Sequence, residues 1–115
     1  MFELLGYIET FAACGQTSHA ANRSKRLQIA ERLIIEESAK VVKIVVVNKG
    51  HKNGNEIHII YNNGIIKVYN EHTKKFITVL IARAPQIERY NIKVTKTMKH
   101  KIESHIAKGY NQIEF

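Results

Sequence analysis

Between Val41 and Ile81 the chain is a series of β-branched runs separated by short polar turns, and few folds suit that pattern. Val41-Val42-Lys43-Ile44-Val45-Val46-Val47 is β-branched almost throughout, which predicts a strand buried on both faces. Glu56-Ile57-His58-Ile59-Ile60-Tyr61 is the next strand. Asn62-Asn63-Gly64 follows, and Asn63-Gly64 suits the two central positions of a type I′ turn, both with positive φ. Residues 65–69 are the partner strand, Asn70-Glu71-His72-Thr73-Lys74 a second turn, and residues 75–81 a fourth strand. Connections this short make neighbouring strands antiparallel. The expected fold is α+β, a four-stranded antiparallel meander packed on a helix and flanked by terminal helices, in a single domain spanning residues 1–115.

The helix that packs on the meander is expected at residues 19–38. Leu27, Ala30, Leu33, Ile34 and Glu37 trace one stripe, and Arg23, Lys25, Arg26 and Arg32 fall on its flanks or open side. A first helix is expected at residues 2–13, ended by Gly15. A last helix should start at a Thr95 or Thr97 cap and stop before Gly109, with Met98, Ile102 and Ile106 as its apolar stripe. Pro85 marks a break after the sheet, and residues 87–94 fit either an extended segment or a short helix.

Charge narrows the function. The chain of 115 residues carries a net +8 and no aspartate, and the excess is uneven. Residues 1–57 hold eight Lys/Arg against six Glu, and residues 58–115 hold ten against four. Such an excess favours a polyanion, whether RNA, DNA, an acidic protein or an anionic membrane surface, and a generic solubilising surface is the other reading of it. A lone cysteine, Cys14 in an apolar stretch, admits no internal disulfide and reads as a small buried hydrophobe. No apolar run is long enough to span a bilayer, and the first residues lack a basic leader, so a cytoplasmic protein with no membrane role is expected.

Six histidines raise the question of a metal, but their spacing argues against one. His100 and His105 would point about 140° apart on a helix. There is no His-Glu-x-x-His motif and no cysteine pair. Carboxylates are too scattered for a two-metal nuclease. Neither a metal nor another cofactor is therefore expected. RNA cleavage without a metal needs a base for the 2′-hydroxyl, an acid for the leaving oxygen and cations for the developing charge. His19 at a helix start, with Arg23 and Arg26 further along, and His58 and Thr78 on strands are the candidate catalytic set. Arg23, Lys25, Arg26, Lys67, Lys96, Lys99 and Lys101 are the candidate nucleic-acid contacts. Strand alternation puts Ile57, Ile59 and Tyr61 on one face and Glu56, His58 and Ile60 on the other. It likewise sets Phe76, Thr78 and Leu80 against Ile77, Val79 and Ile81. The face carrying His58 is expected to be concave and open to solvent.

His19-Ala20-x-x-Arg23, and the phrase Ile66-Lys67-Val68-Tyr69-Asn70-Glu71 followed by Lys75-Phe76-Ile77-Thr78-Val79-Leu80, resemble the barnase–EndoU–colicin–RelE-like superfamily of small ribonucleases and toxins. Within it the chain is similar to uncharacterised bacterial and phage proteins. The resemblance covers roughly half the chain. It departs at Arg26-Leu27-Gln28, where an arginine-glycine pair is usual, and in the basic segment after Pro85. The resemblance implies an RNA-binding protein with metal-independent endoribonuclease activity of the toxin type, whose partners are RNA and an antitoxin or host target. The alternative is a non-enzymatic phage or bacterial protein that docks on a host protein and inhibits it. Both classes stay open on the residues alone. A homodimer is a further expectation, with Val41–Val47 as its candidate interface.

Overall fold

The computed structural model describes residues 24–48 and 54–110. The expected first helix, Cys14, His19 and Arg23 lie outside the described residues. The elements run α1 Ser24–Glu36, β1 Val41–Val47, β2 Glu56–Tyr61, β3 Ile65–Asn70, β4 Phe76–Ile81, α2 Ala84–Glu88 and α3 Lys96–Ala107. The four strands form one antiparallel sheet in the order β1-β2-β3-β4. The α+β meander is therefore present as the β-branched runs require.

Strand alternation divides the core in two. Ile57, Ile59, Tyr61, Ile65, Tyr69, Val79 and Ile81 face α1 and pack with its Ala30 and Leu33. On the opposite face, Ile60, Ile66 and Val68 pack against Ile87 of α2 and Met98 and Ile102 of α3. The face expected to be open to solvent is thus covered by the C-terminal region. The reason is the stripe on α3, which needs an apolar surface and finds it there.

Three local readings change. The β2–β3 connection has positive φ at Gly64 alone (φ +87), with Gly64 N donating to Tyr61 O at 3.1 Å. The loop is therefore a three-residue one ending on a left-handed glycine, in place of a type I′ turn. Asn63 is pulled out of the turn's central role by α1. Its side-chain amide donates to Glu37 Oε1 at 2.8 Å and to Leu33 O at 3.4 Å.

The second change is in β4. Val68 pairs with Thr78 and Tyr69 with Phe76, so Ile77 is extra and forms a bulge. Phe76 joins the α1 face, where it meets Tyr69 edge-on at 5.6 Å, and Ile77 joins the opposite one. The third is β1, an edge strand rather than a strand buried on both sides. Its Val42 and Val46 are 46% and 50% exposed. Because β1 lies at one edge and α1 contacts β4 near the other, the helix leaves these valines uncovered.

Helix ends follow from side chains and backbone. Ser38 takes φ 50, and Ala39 N reaches Ile34 O at 2.9 Å, the closure of a Schellman motif made without glycine. Thr95 caps α3 by accepting from Met98 N at 3.2 Å, and Gly109 (φ +74) follows its end. Pro85 does not merely end the sheet. It sits in the first turn of α2, where its missing N–H costs nothing.

Gly64 also gives a test of how the layers fit. A Cβ there would lie 2.7 Å from Ile102 Cγ1 of α3. Gly64→Ala combines left-handed strain with a clash in a packed layer. It is expected to destabilise the fold by about 2–4 kcal/mol in urea titration. No measurable loss would mean that α3 does not pack on this turn.

Candidate functional site

β2 is short and fully paired, so its outward side chains are fixed in place. Glu56 and His58 are two residues apart and share the sheet face opposite α1. His58 is only 6% exposed, so its ring needs partners. Nε2 meets Glu56 Oε1 at 3.0 Å, and Nδ1 meets the Tyr90 hydroxyl at 2.7 Å. A carboxylate can only accept, so Nε2 carries a proton. In the neutral ring Nδ1 is then an acceptor, and the Tyr90 O–H donates to it. The three groups form one aligned chain, Tyr90 to His58 to Glu56, in which each bond polarises the next.

Tyr90 lies after α2, and Lys43 of β1 donates from Nζ to its carbonyl at 2.6 Å. Burial, and then the charge of Glu56, push the Tyr90 hydroxyl above its ordinary pKa, so it stays protonated at neutral pH. His58 and Tyr90 line a cleft of about 560 Å³ between the sheet and the α2 exit. Val45, Val47, Ile66 and Leu80 give it an apolar floor, and Lys43, Gln86, Arg89 and Asn91 complete its wall. Arg89 is exposed and has no ion-pair partner among the described residues.

The expected catalytic residues do not all meet here. His58 is in the cleft. Thr78 shares its face, but both flank Val68, which places them two strand spacings apart, roughly 9–10 Å. His19 lies outside the described residues. The expected cations also scatter. Arg23 lies outside the described residues, and Lys25 is the second residue of α1. Arg26 leans over β4 and donates to Val79 O at 3.3 Å. Lys96 and Lys99 are exposed on α3 and Lys101 is half-buried. Lys96, Lys101, Thr97 and His100 border a shallow groove on that helix.

Lys67 is the clearest departure from a surface contact. It is 7% exposed on the α1 face, ion-paired with Glu31, and its Nζ lies 5.7 Å from the centre of the Tyr61 ring. Burial disfavours its charge, but Tyr61 and the Glu31 carboxylate outweigh that and raise its pKa. Tyr61 itself is raised, by burial first, with Lys67 opposing.

Glu56, Tyr90, Lys43 and Arg89 were not among the expected site residues. The Glu56-x-His58 spacing was a usable signal for one of them. Tyr90 arrives from 32 residues away, through packing of α2, and no local pattern announces it.

Among the described residues no group of three or more His, Cys, Asp or Glu is placed to hold a metal ion. No helix among them is long and apolar enough to cross a membrane. The chain matches no family model, no curated protein and no solved structure.

Tyr61, Lys67 and Tyr90 all bind their protons more tightly in the folded chain than in the unfolded one. Losing those protons therefore favours unfolding. Their contribution is fully present below about pH 10, the ordinary tyrosine value, and is lost as pH rises through the raised folded values. The urea midpoint is expected to decline in that alkaline range. Tyr61→Phe, which removes one of these protons and one support of Lys67, should make the decline shallower.

Proposed function

We propose that this protein binds RNA and cleaves it without a metal ion, at the cleft lined by His58 and Tyr90. The observation that carries the reading is the Tyr90–His58–Glu56 chain, set beside Lys43 and Arg89 in a chain of net charge +8. In this reading Arg89 and Lys43 hold the scissile phosphate. The substrate's 2′-hydroxyl gives its proton to the Tyr90 oxygen as Tyr90 passes its own to His58 Nδ1. The imidazolium that forms is stabilised by Glu56. The 2′-oxygen bonds to phosphorus, the bond to the 5′-oxygen breaks, and that oxygen takes a proton from water. The products are a 2′,3′-cyclic phosphate and a 5′-hydroxyl. The exposed lysines of α3 add sequence-independent contacts to neighbouring phosphates.

A second reading has its own support. Both ring nitrogens of His58 already have partners within the protein, which is also how a histidine locks a loop to a sheet. On that reading the protein is a binding module that docks on a host protein, and the cleft does no chemistry.

Incubation with total RNA in EDTA separates the two. Cleavage is expected to persist in EDTA and to leave cyclic phosphate ends. Tyr90→Phe and His58→Ala should each slow it by about 10²–10⁴-fold, the usual cost of losing an acid–base group. If folded Tyr90→Phe cleaves as fast as the parent, the relay is not catalytic. If the parent cleaves nothing, the binding-module reading replaces it.

Salt gives an independent check on binding. Affinity for single-stranded RNA should fall as salt rises, with a log–log slope of about −0.7 per phosphate neutralised. Replacing Lys96, Lys99 and Lys101 by Glu should make that slope shallower. An affinity indifferent to salt would point to a protein partner.

A further inference from the structure

We infer that the cleft takes one unstacked nucleotide, so that the RNA recognised by this protein is single-stranded. This rests on the RNA-binding reading above and adds to it a choice of substrate. The cleft has two chemistries side by side. Its floor is apolar, from Val45, Val47, Ile66 and Leu80, with the Tyr90 ring at one wall. Its rim carries the guanidinium of Arg89 and the ammonium of Lys43. A nucleotide has the same division, a flat base and an anionic phosphate. Glu56 sets the polarity. Its carboxylate lies on the far side of His58 from the Tyr90 hydroxyl, so a phosphate is repelled from that side and drawn to Arg89, beside Tyr90 in the chain. That leaves the base for the floor. Gln86 accepts the Arg83 N–H through its Oε1, so its amide N–H₂ is the end available to a base edge.

A duplex cannot use this site. Its bases are stacked inside, and it offers a protein mainly phosphates, sugars and groove edges. The apolar floor would gain nothing from it. A cleft of about 560 Å³ suits a single everted nucleotide rather than a helix. The α3 lysines touch phosphates, which both forms of RNA present. The two surfaces therefore divide the work. The lysines supply general affinity, and the cleft supplies the preference for unpaired RNA.

The test uses the full chain and a 2′-O-methylated RNA oligonucleotide, which cannot be cut by attack of its own 2′-oxygen. Binding of the single strand and of the same sequence as a duplex is measured by fluorescence anisotropy at one salt concentration. The single strand is expected to bind about tenfold more tightly, the scale of one base stacked on an aromatic ring. Val47→Trp, which fills the floor, should bring its affinity down to that of the duplex. Val47→Phe, a smaller intrusion at the same half-buried floor position, should act in the same direction, so it carries the test if Val47→Trp does not fold. Equal binding of the two forms by the parent overturns the inference while leaving RNA binding in place. A single-strand preference that survives in folded Val47→Trp, or in Val47→Phe when Val47→Trp does not fold, also overturns it. If neither form binds, the inference falls together with the RNA-binding reading.

Discussion

The carboxylate of Glu37 is gripped from two other layers of the molecule. Asn63, wholly buried in the hairpin turn, donates its amide to one oxygen. His105, wholly buried in α3, meets both oxygens from Nε2 at 2.9 and 3.0 Å. Helix α1 on one face of the sheet and α3 on the other are thereby tied to the same turn. A buried imidazole and amide need partners, and removing Glu37 would leave His105 with none among the described residues, while Asn63 would keep only its longer bond to Leu33 O. Gly64 sits against Ile102 beside this cluster, too close for a side chain at that position. His105 Nδ1 has no hydrogen-bond partner among the described residues, so its attachment rests on Nε2 alone.

The sheet repeats this device on each face. Alternation sends Lys67 toward α1 and His58 toward the opposite side, and both are nearly enclosed. Each is met by a glutamate, Glu31 for Lys67 and Glu56 for His58. A charged or polar group so placed is tolerated only when it is paired. The difference between the two sites lies in what surrounds the pair. Lys67 is enclosed by a helix and two tyrosines. His58 opens through Tyr90 onto a cleft with cations in its wall.

The elements were legible where chemistry is local. Runs of β-branched residues, short polar turns, the Thr95 cap and the Gly109 stop each act within a few residues, and the strands and α3 follow them. The misreadings share a cause, which is that a distant element took over a local choice. Asn63 left its expected place in the turn because α1 offered a carbonyl and a carboxylate. Phe76 changed faces because a bulge moved the register by one, which reverses a side chain's direction. β1 looked like a central strand from its composition, yet strand order made it an edge. The cleft was the least legible part, since Tyr90 reaches His58 only after α2 has packed on the sheet.

The coverage of the second sheet face by α3 has a consequence for how the chain is made. The four strands leave the ribosome well before the helix that shields Ile60, Ile66 and Val68. Until α3 emerges, a sheet would have only the short α2 to cover that apolar surface, beside an edge strand whose valines are already bare. The one cation on that strand, Lys43, is turned toward Tyr90 and is itself recruited only after α2. Such an intermediate has both an exposed face and an unguarded edge, the two features by which partly made β proteins stick to one another. A released chain that stops before Lys96 should therefore depend on chaperones, even though it contains every strand of the sheet.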